Sequence, residues 1–246
     1  MQDGAKFVSR LGSDRGPRDL YDRVRRPLTR LYLKLRHQVF GRRYRRLVLE
    51  RVGEVPFLVL PDVFNPVLFR TGPFLAEAVA RLAPAPGPGR LALDMGTGSG
   101  VGAVFAARAG YRVLAVDINA EAVRCARINV LLSRLEAQVE VRQGDLFAPV
   151  AGETFDLVLF NPPFYRGVPK DALDHAWRGV DVFERFAAGL TAALAPGGQA
   201  LVVVSTDGDA AGLLRALDAQ GLTHTVAAQR DLGNEVLTIH AITRTA

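Results

Sequence analysis

The chain has 246 residues, of which 49% are apolar, a single cysteine and a formal net charge of +6. Its length is typical of one domain of ordinary size that can bury a full hydrophobic core. No run of about 18 uncharged apolar residues occurs, so we expect no transmembrane helix. The charged N-terminus lacks the apolar segment of a secretion signal, and Cys125 cannot form an internal disulfide. Both features favour a cytoplasmic protein.

The basic charge is concentrated at the N-terminus. Residues 1–55 hold 15 basic and 6 acidic side chains, whereas the remainder of the chain holds 16 basic and 19 acidic ones. We interpret 1–55 as a basic, mainly helical arm whose stretch 15–51 is suited to contact RNA or a ribonucleoprotein. The alternative is a solvated, arginine-rich surface helix. The densest cluster comprises Arg42, Arg43, Arg45 and Arg46.

Two elements are predicted in the arm and directly after it. Apolar residues at three- and four-residue steps over Leu20–Phe40 predict a helix. Two short apolar runs, Arg46–Val52 and Pro56–Leu60, predict a hairpin that turns at Gly53-Glu54. The second strand of this hairpin opens the next segment, 56–89.

Segment 56–89 joins the arm to the main part of the chain. It continues with a helix predicted over Thr71–Leu82 and ends in a linker rich in proline and glycine, 83–89. Such a linker is a typical domain boundary. We therefore predict that residues 90–246 form a domain of their own.

From Arg90 onward, strands and helices alternate regularly. The strands are predicted at Leu91–Asp94, Arg112–Val116, Val139–Arg142, Phe155–Phe160, Gln199–Ser205, Thr223–Ala228 and Glu235–Thr243. The helices are predicted at Val101–Ala109, Ala120–Leu132, Val180–Leu194 and Ala210–Ala219, with a stop at Pro196-Gly197-Gly198. Strands joined by helices are parallel, whereas two strands joined by a short turn are antiparallel. The prediction is an α/β, Rossmann-like sheet of seven strands, mostly parallel with an antiparallel last strand, and helices on both faces.

The ends of the predicted strands carry the motifs that suggest chemistry. In open α/β sheets, ligands bind at the carboxyl ends of the strands. The first strand runs into Asp94-Met95-Gly96-Thr97-Gly98-Ser99-Gly100, a turn whose glycines let a ligand approach the backbone closely. Asp117 ends the second strand 21 residues after Gly96, a spacing typical of an acid that accepts hydrogen bonds from ribose hydroxyls. These two motifs alone would equally suit a nicotinamide-dependent dehydrogenase.

The fourth strand ends in Asn161-Pro162-Pro163-Phe164. The prolines fix the backbone and remove N–H donors, which leaves backbone carbonyls and the Asn161 side chain as acceptors. This pair of rigid acceptors suits an NH₂ group, and Phe164 is placed to stack on the planar group that carries it. A dehydrogenase has no use for such an arrangement.

Together these motifs resemble the class I S-adenosylmethionine-dependent methyltransferases that act on planar amides or exocyclic amines. The likeness covers about residues 56–243 and rests on Asp94–Gly100, Asp117-Ile118-Asn119, Gly144-Asp145-Leu146-Phe147 and Asn161-Pro162-Pro163-Phe164. Within that group the chain is most similar to HemK-type enzymes, which methylate a glutamine side chain of translation release factors. The hairpin followed by Val63-Phe64-Asn65-Pro66 also resembles that family.

The resemblance implies roles for individual residues. Asp94, Gly96, Thr97, Gly98 and Gly100 would form the turn that receives the methionine part of S-adenosylmethionine. Asp117 would hold the ribose hydroxyls. Asp145 would accept a hydrogen bond from the adenine amino group, while Ile118 and Leu146 would pack against its ring. The catalytic residues would be Asn161, Pro162 and Phe164, and Asn161 would also border the cofactor.

We therefore predict an S-adenosylmethionine-dependent N-methyltransferase whose favoured acceptor is a glutamine side chain of a translation-related protein. The alternative is an RNA methyltransferase that acts on an exocyclic base amine, guanine N2 or adenine N6. Phe164 favours this alternative because HemK-type enzymes usually have Tyr at that position, and the basic arm favours it as well. A small-molecule methyltransferase and a non-catalytic binding protein of the same fold are further alternatives. No His, Cys and Asp cluster has metal-ligand spacing, so no metal is expected.

Overall fold

A computed structural model describes residues 46–83, 89–171 and 173–245. The helix predicted over Leu20–Phe40, the arginine cluster up to Arg45 and most of the linker lie outside these ranges. None of the described helices is both long and apolar enough to span a membrane.

The described ranges contain the following elements. The strands are β1 (Val48–Val52), β2 (Val55–Val59), β3 (Leu91–Met95), β4 (Arg112–Asp117), β5 (Val139–Gln143), β6 (Phe155–Phe160), β7 (Tyr165–Arg166), β8 (Arg178–Gly179), β9 (Leu194–Ser205), β10 (Leu222–Asp231) and β11 (Val236–Arg244). The helices are α1 (Thr71–Leu82), α2 (Val101–Arg108), α3 (Ala120–Leu132), α4 (Val182–Ala193) and α5 (Ala210–Ala219), with single 3₁₀ turns at Ala148–Val150 and Asp174–Ala176.

Seven of the strands form one sheet in the order β10-β11-β9-β6-β3-β4-β5. Strand β3 pairs in parallel with both β4 and β6, whereas β11 is antiparallel to both β9 and β10. The chain adds β4 and β5 on one side of β3 and then crosses to β6 on the other. The strand order therefore reverses between β3 and β6, which is where a crevice opens at the carboxyl ends of such a sheet. The predicted seven-stranded α/β fold is confirmed.

Helices cover both faces of the sheet because side chains alternate along each strand. In β6, Leu157 and Leu159 pack with α1, α2 and α3, whereas Val158 and Phe160 pack with α4 and α5. All four side chains are at most 3% exposed. Burial on both faces explains why this strand is apolar at nearly every position rather than at every second one.

One predicted boundary is wrong. The helix predicted over Val180–Leu194 ends at Ala193, and β9 begins at Leu194, so the expected stop Pro196-Gly197-Gly198 lies inside a strand. The Leu194 N–H donates the last hydrogen bond of the helix to the Leu190 carbonyl. The ψ of Leu194 is 128°, so its backbone is already extended. It then pairs with Phe155, and an irregularity in the register accommodates the glycines before pairing resumes at Gln199. The strand predicted at Gln199–Ser205 thus begins five residues earlier than expected, while the other predicted elements within the described ranges agree with the observed ones to within three residues at each end.

The hairpin of β1 and β2 turns at Gly53-Glu54 as predicted, and it spans the predicted boundary between 55 and 56. A short pair of strands is not predicted by the sequence: β7 and β8 pair in parallel and bracket the loop after Asn-Pro-Pro-Phe. Strands of two residues leave no periodic signal. Arg166 fixes this loop through ion pairs with Glu184 of α4 at 2.7 Å and Asp209 before α5 at 2.6 Å.

A buried amide ties the hairpin to the glycine-rich turn after β3. Asn129 of α3 is fully buried. Its Nδ2 donates to the carbonyls of Leu58 at 2.7 Å and Ser99 at 2.8 Å, and its Oδ1 accepts from the Leu58 N–H at 2.8 Å. One side chain therefore holds β2, α3 and the glycine-rich turn together. Cys125, also on α3, is buried beside it, and burial raises the pKa of its thiol to about 11, as suits an inert cysteine.

We expect Asn129→Leu to destabilise the protein. Leucine has a similar size but leaves the Leu58 N–H and the Ser99 carbonyl without their partner, while the Leu58 carbonyl keeps the weak Cys125 S–H donor at 3.2 Å. Because a buried unsatisfied group costs about 1–3 kcal/mol, the free energy of unfolding should fall by at least about 2 kcal/mol. Urea unfolding followed by circular dichroism measures this change.

The control is Leu131→Ala on the same helix, since the Leu131 side chain is 59% exposed. We expect it to change the free energy of unfolding by no more than about 0.5 kcal/mol. An effect of Asn129→Leu as small as that of the control would show that the buried amide does not hold the hairpin in place.

Candidate active site

A cavity opens at the carboxyl ends of the strands beside the reversal of strand order. Its lining includes nine of the twelve predicted site residues, namely Asp94, Gly96, Thr97, Gly98, Asp117, Ile118, Asp145, Leu146 and Asn161. Residues from other parts of the chain complete it, among them Phe64, Thr71, His175 and Arg178. Four strand ends that are far apart in sequence thus meet at one cavity.

Three predicted site residues, Gly100, Pro162 and Phe164, are not part of the cavity lining. Gly100 has a left-handed φ of +84° and faces α3, where a Cβ would lie 3.2 Å from the Ala126 Cα. Pro162 is buried. Phe164 is half-buried and packs against the apolar layer beneath α1, α2 and α3. The close approach of Gly100 is to protein backbone, and Phe164 contributes to the core.

Asp94 supports the glycine-rich turn from inside the protein. Its Oδ2 accepts from the Thr97 hydroxyl at 2.6 Å and from the Ala103 N–H at 2.8 Å, which joins β3 to the first turn of α2. Burial raises the pKa of Asp94 to about 6, and these two hydrogen bonds oppose that rise. Gly102 makes the arrangement possible, because a Cβ there would lie 2.2 Å from the Asp94 Oδ1. The sequence does not single out Gly102, although a glycine inside a helix is a sign of close packing.

Asp117 links the end of β4 to the same turn. Its Oδ2 accepts from the Gly98 N–H at 2.8 Å, and its Oδ1 accepts from the Asn119 N–H at 2.9 Å. Burial raises the pKa of Asp117, while these hydrogen bonds and the charge of His175 lower it. A carboxylate has about four acceptor positions, so Asp117 can accept further hydrogen bonds from a ligand.

Beyond Asp117 the cavity is lined by apolar side chains with one acceptor at their edge. Ile118 is 42% exposed, which is a high value for a large apolar residue at a strand end. Leu146 has a left-handed φ of +47°. Asp145 accepts from Arg185 of α4 at 2.6 Å. Apolar surfaces with few polar groups are typical of a small-molecule site.

These residues fit S-adenosylmethionine, the cofactor that the sequence implies. The half-buried Asp117 carboxylate suits ribose hydroxyls, and the edge acceptor Asp145 suits an exocyclic amino group. Ile118 and Leu146 offer apolar surface to a purine ring. Gly96 and Gly98 both have positive φ and line the cavity with backbone alone, which leaves room for the methionine part.

Asn161, at the end of β6, has one acceptor without a partner. Its Nδ2 donates to the Thr71 hydroxyl at 3.2 Å. Its Oδ1 is buried and makes no hydrogen bond with any described residue. Because an unsatisfied buried acceptor costs about 1–3 kcal/mol, it is a sign that a ligand supplies the donor. The sequence does not reveal Thr71, since the contact spans 90 residues.

Phe64, from the segment after the hairpin, also lines the cavity. Its ring centroid lies 4.7 Å from that of Phe69 and 5.1 Å from that of Trp177, and the rings of Phe69 and Trp177 are 4.3 Å apart. Trp177 belongs to the loop between β7 and β8, so this aromatic cluster joins two distant segments at the cavity. Phe64 belongs to the segment Val63-Phe64-Asn65-Pro66, which resembles the HemK-type family, but nothing in the sequence predicts these ring contacts.

Comparison with known proteins identifies the family. The family model of the methyltransferase small domain matches residues 61–230. A release factor glutamine methyltransferase of Moorella thermoacetica is 35% identical in an alignment of 124 residues that covers 44% of this chain and 44% of that protein. A ribosomal RNA small subunit methyltransferase C of Alcanivorax borkumensis is 36% identical over 108 residues, which are 44% of this chain and 30% of that protein. The chain thus spans less than half the length of these curated relatives.

Solved structures agree on the fold. The T. thermophilus 16S rRNA N2 G1207 methyltransferase in complex with AdoMet and guanosine matches with a TM-score of 0.60 at 22% identity, over 81% of this chain and 50% of that chain. This likeness shows the fold, while the family model spans most of the sequence, including every strand end at the cavity. The chain therefore belongs to the methyltransferase small domain family of S-adenosylmethionine-dependent methyltransferases.

Proposed function

We propose that this enzyme methylates a planar amide nitrogen, with a glutamine side chain of a translation-related protein as its favoured acceptor. The observation that supports this proposal is the Oδ1 of Asn161, which is buried and has no donor among the described residues. A substrate NH₂ group brings the N–H that this oxygen lacks. Since translation is the setting of the proposed substrate, we place the enzyme in the cytoplasm.

The proposed role of Asn161 answers the main chemical difficulty of the reaction. The lone pair of an amide nitrogen is delocalised, so the nitrogen is a poor nucleophile. An acceptor on its hydrogens, the Asn161 Oδ1, raises the electron density on nitrogen and favours the tetrahedral geometry of attack. Proline has no N–H, so neither Pro162 nor Pro163 presents a competing backbone donor.

The rest of the acceleration comes from positioning and from fixed dipoles at the site. When bound, S-adenosylmethionine supplies a methyl group on a sulfonium, which becomes a neutral thioether as the substrate nitrogen takes the methyl group and releases a proton. Asp117, Asp145 and the backbone at Gly96 and Gly98 would hold it. Proton loss follows transfer, so no side chain has to act as a strong base.

The charge of the segment that contains the cavity supports a protein acceptor, whereas the basic arm supports RNA. Binding of RNA depends largely on contacts from Lys and Arg to phosphates. Residues 56–246, which contain the cavity, hold 16 basic and 19 acidic side chains. The positive charge lies in 1–55, most of which is outside the described residues. A relative named for glutamine methylation supports the protein acceptor, and one named for ribosomal RNA makes an exocyclic base amine the alternative.

We expect Asn161→Ala to reduce methyl transfer by at least about 100-fold, because it removes an acceptor that acts on the reacting nitrogen. Binding of S-adenosylmethionine should persist, since Asp117 and the glycine-rich turn are unchanged. The rate is measured with methyl-labelled cofactor, and binding is measured by calorimetric titration.

Gln220→Ala is the matched control, because Gln220 is an exposed amide after α5 and does not line the cavity. It should leave both transfer and binding unchanged. If Asn161→Ala turned over at a near-normal rate while folded, the proposed chemistry would be wrong.

A second experiment identifies the class of acceptor. The wild-type enzyme is incubated with methyl-labelled S-adenosylmethionine in a lysate of the source organism, and the product is divided between protease and RNase. We expect protease to release the label and RNase to leave it in place. Label lost to RNase alone would contradict a protein acceptor and identify an RNA methyltransferase.

The same experiment has a control for the basic arm. Replacing Arg42, Arg43, Arg45 and Arg46 by glutamine neutralises the densest cluster. If RNA is the acceptor, this variant should label less and its labelling should depend less on salt. If a protein amide is the acceptor, the salt dependence should be nearly that of the wild type.

A further inference from the structure

We propose that Thr71 is a positioning residue, which holds the amide of Asn161 in the orientation that leaves Oδ1 to the substrate. This inference rests on the proposed function, because it assumes that Asn161 accepts from the substrate nitrogen. Thr71 begins α1, in the segment before the sheet, and none of the motifs contains it.

The contact between the two side chains is direct and buried. Asn161 donates through Nδ2 to the Thr71 hydroxyl at 3.2 Å, and both residues line the cavity. Thr71 is 2% exposed, so water does not readily replace this hydroxyl. The hydrogen bond engages Nδ2 and leaves Oδ1 as the end of the amide without a partner among the described residues.

The orientation of this amide decides what the substrate meets. An asparagine side chain has a carbonyl acceptor at one end and an NH₂ donor at the other. If the amide turned by half a rotation, its NH₂ would face the substrate NH₂ and no acceptor would be present there. The Thr71 hydroxyl can accept from Nδ2 or donate to Oδ1, so it holds the side chain in place while the substrate NH₂ selects the end of the amide that faces it. In the observed orientation the hydroxyl accepts from Nδ2, which leaves Oδ1 to the substrate.

The start of α1 is itself held firmly, as a positioning role requires. Arg70 has a left-handed φ of +65°, which is a strained conformation for a residue with a side chain. Its guanidinium donates to the Asn234 Oδ1 at 2.8 Å and lies 3.5 Å from the Glu235 carboxylate. Glu235 in turn accepts from the Ser205 hydroxyl at the end of β9.

A second anchor acts on the other side of Thr71. The Gly72 N–H donates to the Pro66 carbonyl at 3.1 Å. A Cβ at Gly72 would lie 2.4 Å from the Pro66 Cβ, so the two backbones approach closely. Thr71 therefore lies between two fixed neighbours, one tied to the sheet and one tied to the segment that carries Phe64.

The test compares Thr71→Val with Thr71→Ser. Valine keeps the shape but removes the acceptor, whereas serine keeps the hydroxyl. We expect Thr71→Val to lower kcat for methyl transfer by about 10- to 100-fold through misplacement of the reacting groups. The Kd for S-adenosylmethionine should stay close to that of the wild type, and the melting temperature should fall by only a few degrees, because one hydrogen bond is lost. Thr71→Ser should restore most of the lost activity.

A double variant separates a positioning role from a general one. If Thr71 acts through Asn161, adding Thr71→Val to Asn161→Ala should cause little further loss, because residues that act as a unit are not additive. A full additional loss in the double variant would overturn the inference. Equal losses for valine and serine would do so as well, since the hydroxyl would then not be what matters.

Failure of the inference and failure of the proposed function give different results. An inactive Asn161→Ala with a Thr71→Val variant that keeps wild-type kcat would overturn only the role of Thr71. An Asn161→Ala variant that keeps wild-type transfer would overturn the proposed function, and the role of Thr71 with it.

Discussion

A buried carbonyl oxygen without a donor is the constraint on which the site depends. Folding a polar atom into the interior without a hydrogen bond is unfavourable, so such an atom at the edge of a cavity suits a ligand that brings the donor. Here the atom is the Asn161 Oδ1, at the end of a strand that is buried on both faces. Pro162 and Pro163 follow it directly and present no N–H. The Asn161 Oδ1 is thus an acceptor that is followed by two residues without a backbone N–H.

The topology of the sheet brings this acceptor to the cofactor residues. Strands β3 and β6 are neighbours although about sixty residues separate them, because the chain builds β4 and β5 on the far side first. The glycine-rich turn, Asp117 and Asn161 therefore share one cavity. Buried polar side chains then hold the glycine-rich turn in place. Asp94 joins the turn to α2, and Asn129 joins it to the hairpin. Each of these contacts joins elements that the sequence motifs describe separately.

The sequence predicted what depends on local patterns. Apolar runs predicted the strands, and the polar or glycine residues after them predicted where the strands end. Because the carboxyl ends of parallel strands lie at one edge of the sheet, Asp94, Asp117, Asp145 and Asn161 were expected at one site. Contacts between distant segments left no pattern: Thr71 meets Asn161 across 90 residues, and Phe64 meets Trp177 through a loop held by two-residue strands. A motif also does not tell which face a residue takes. Gly100 and Phe164 belong to motifs at the cavity, yet one packs against α3 and the other against the core.

The most direct measurement is the chemical position of the transferred methyl group. The labelled acceptor is digested enzymatically and sequenced by tandem mass spectrometry, and a parallel sample is hydrolysed in acid. We expect the methyl group on the side-chain nitrogen of a glutamine, so that acid hydrolysis of the amide releases the label as methylamine. A methyl group on a hydroxyl, a carboxylate, a carbon or a ring nitrogen would contradict the account, because none of these offers an NH₂ group to the Asn161 oxygen.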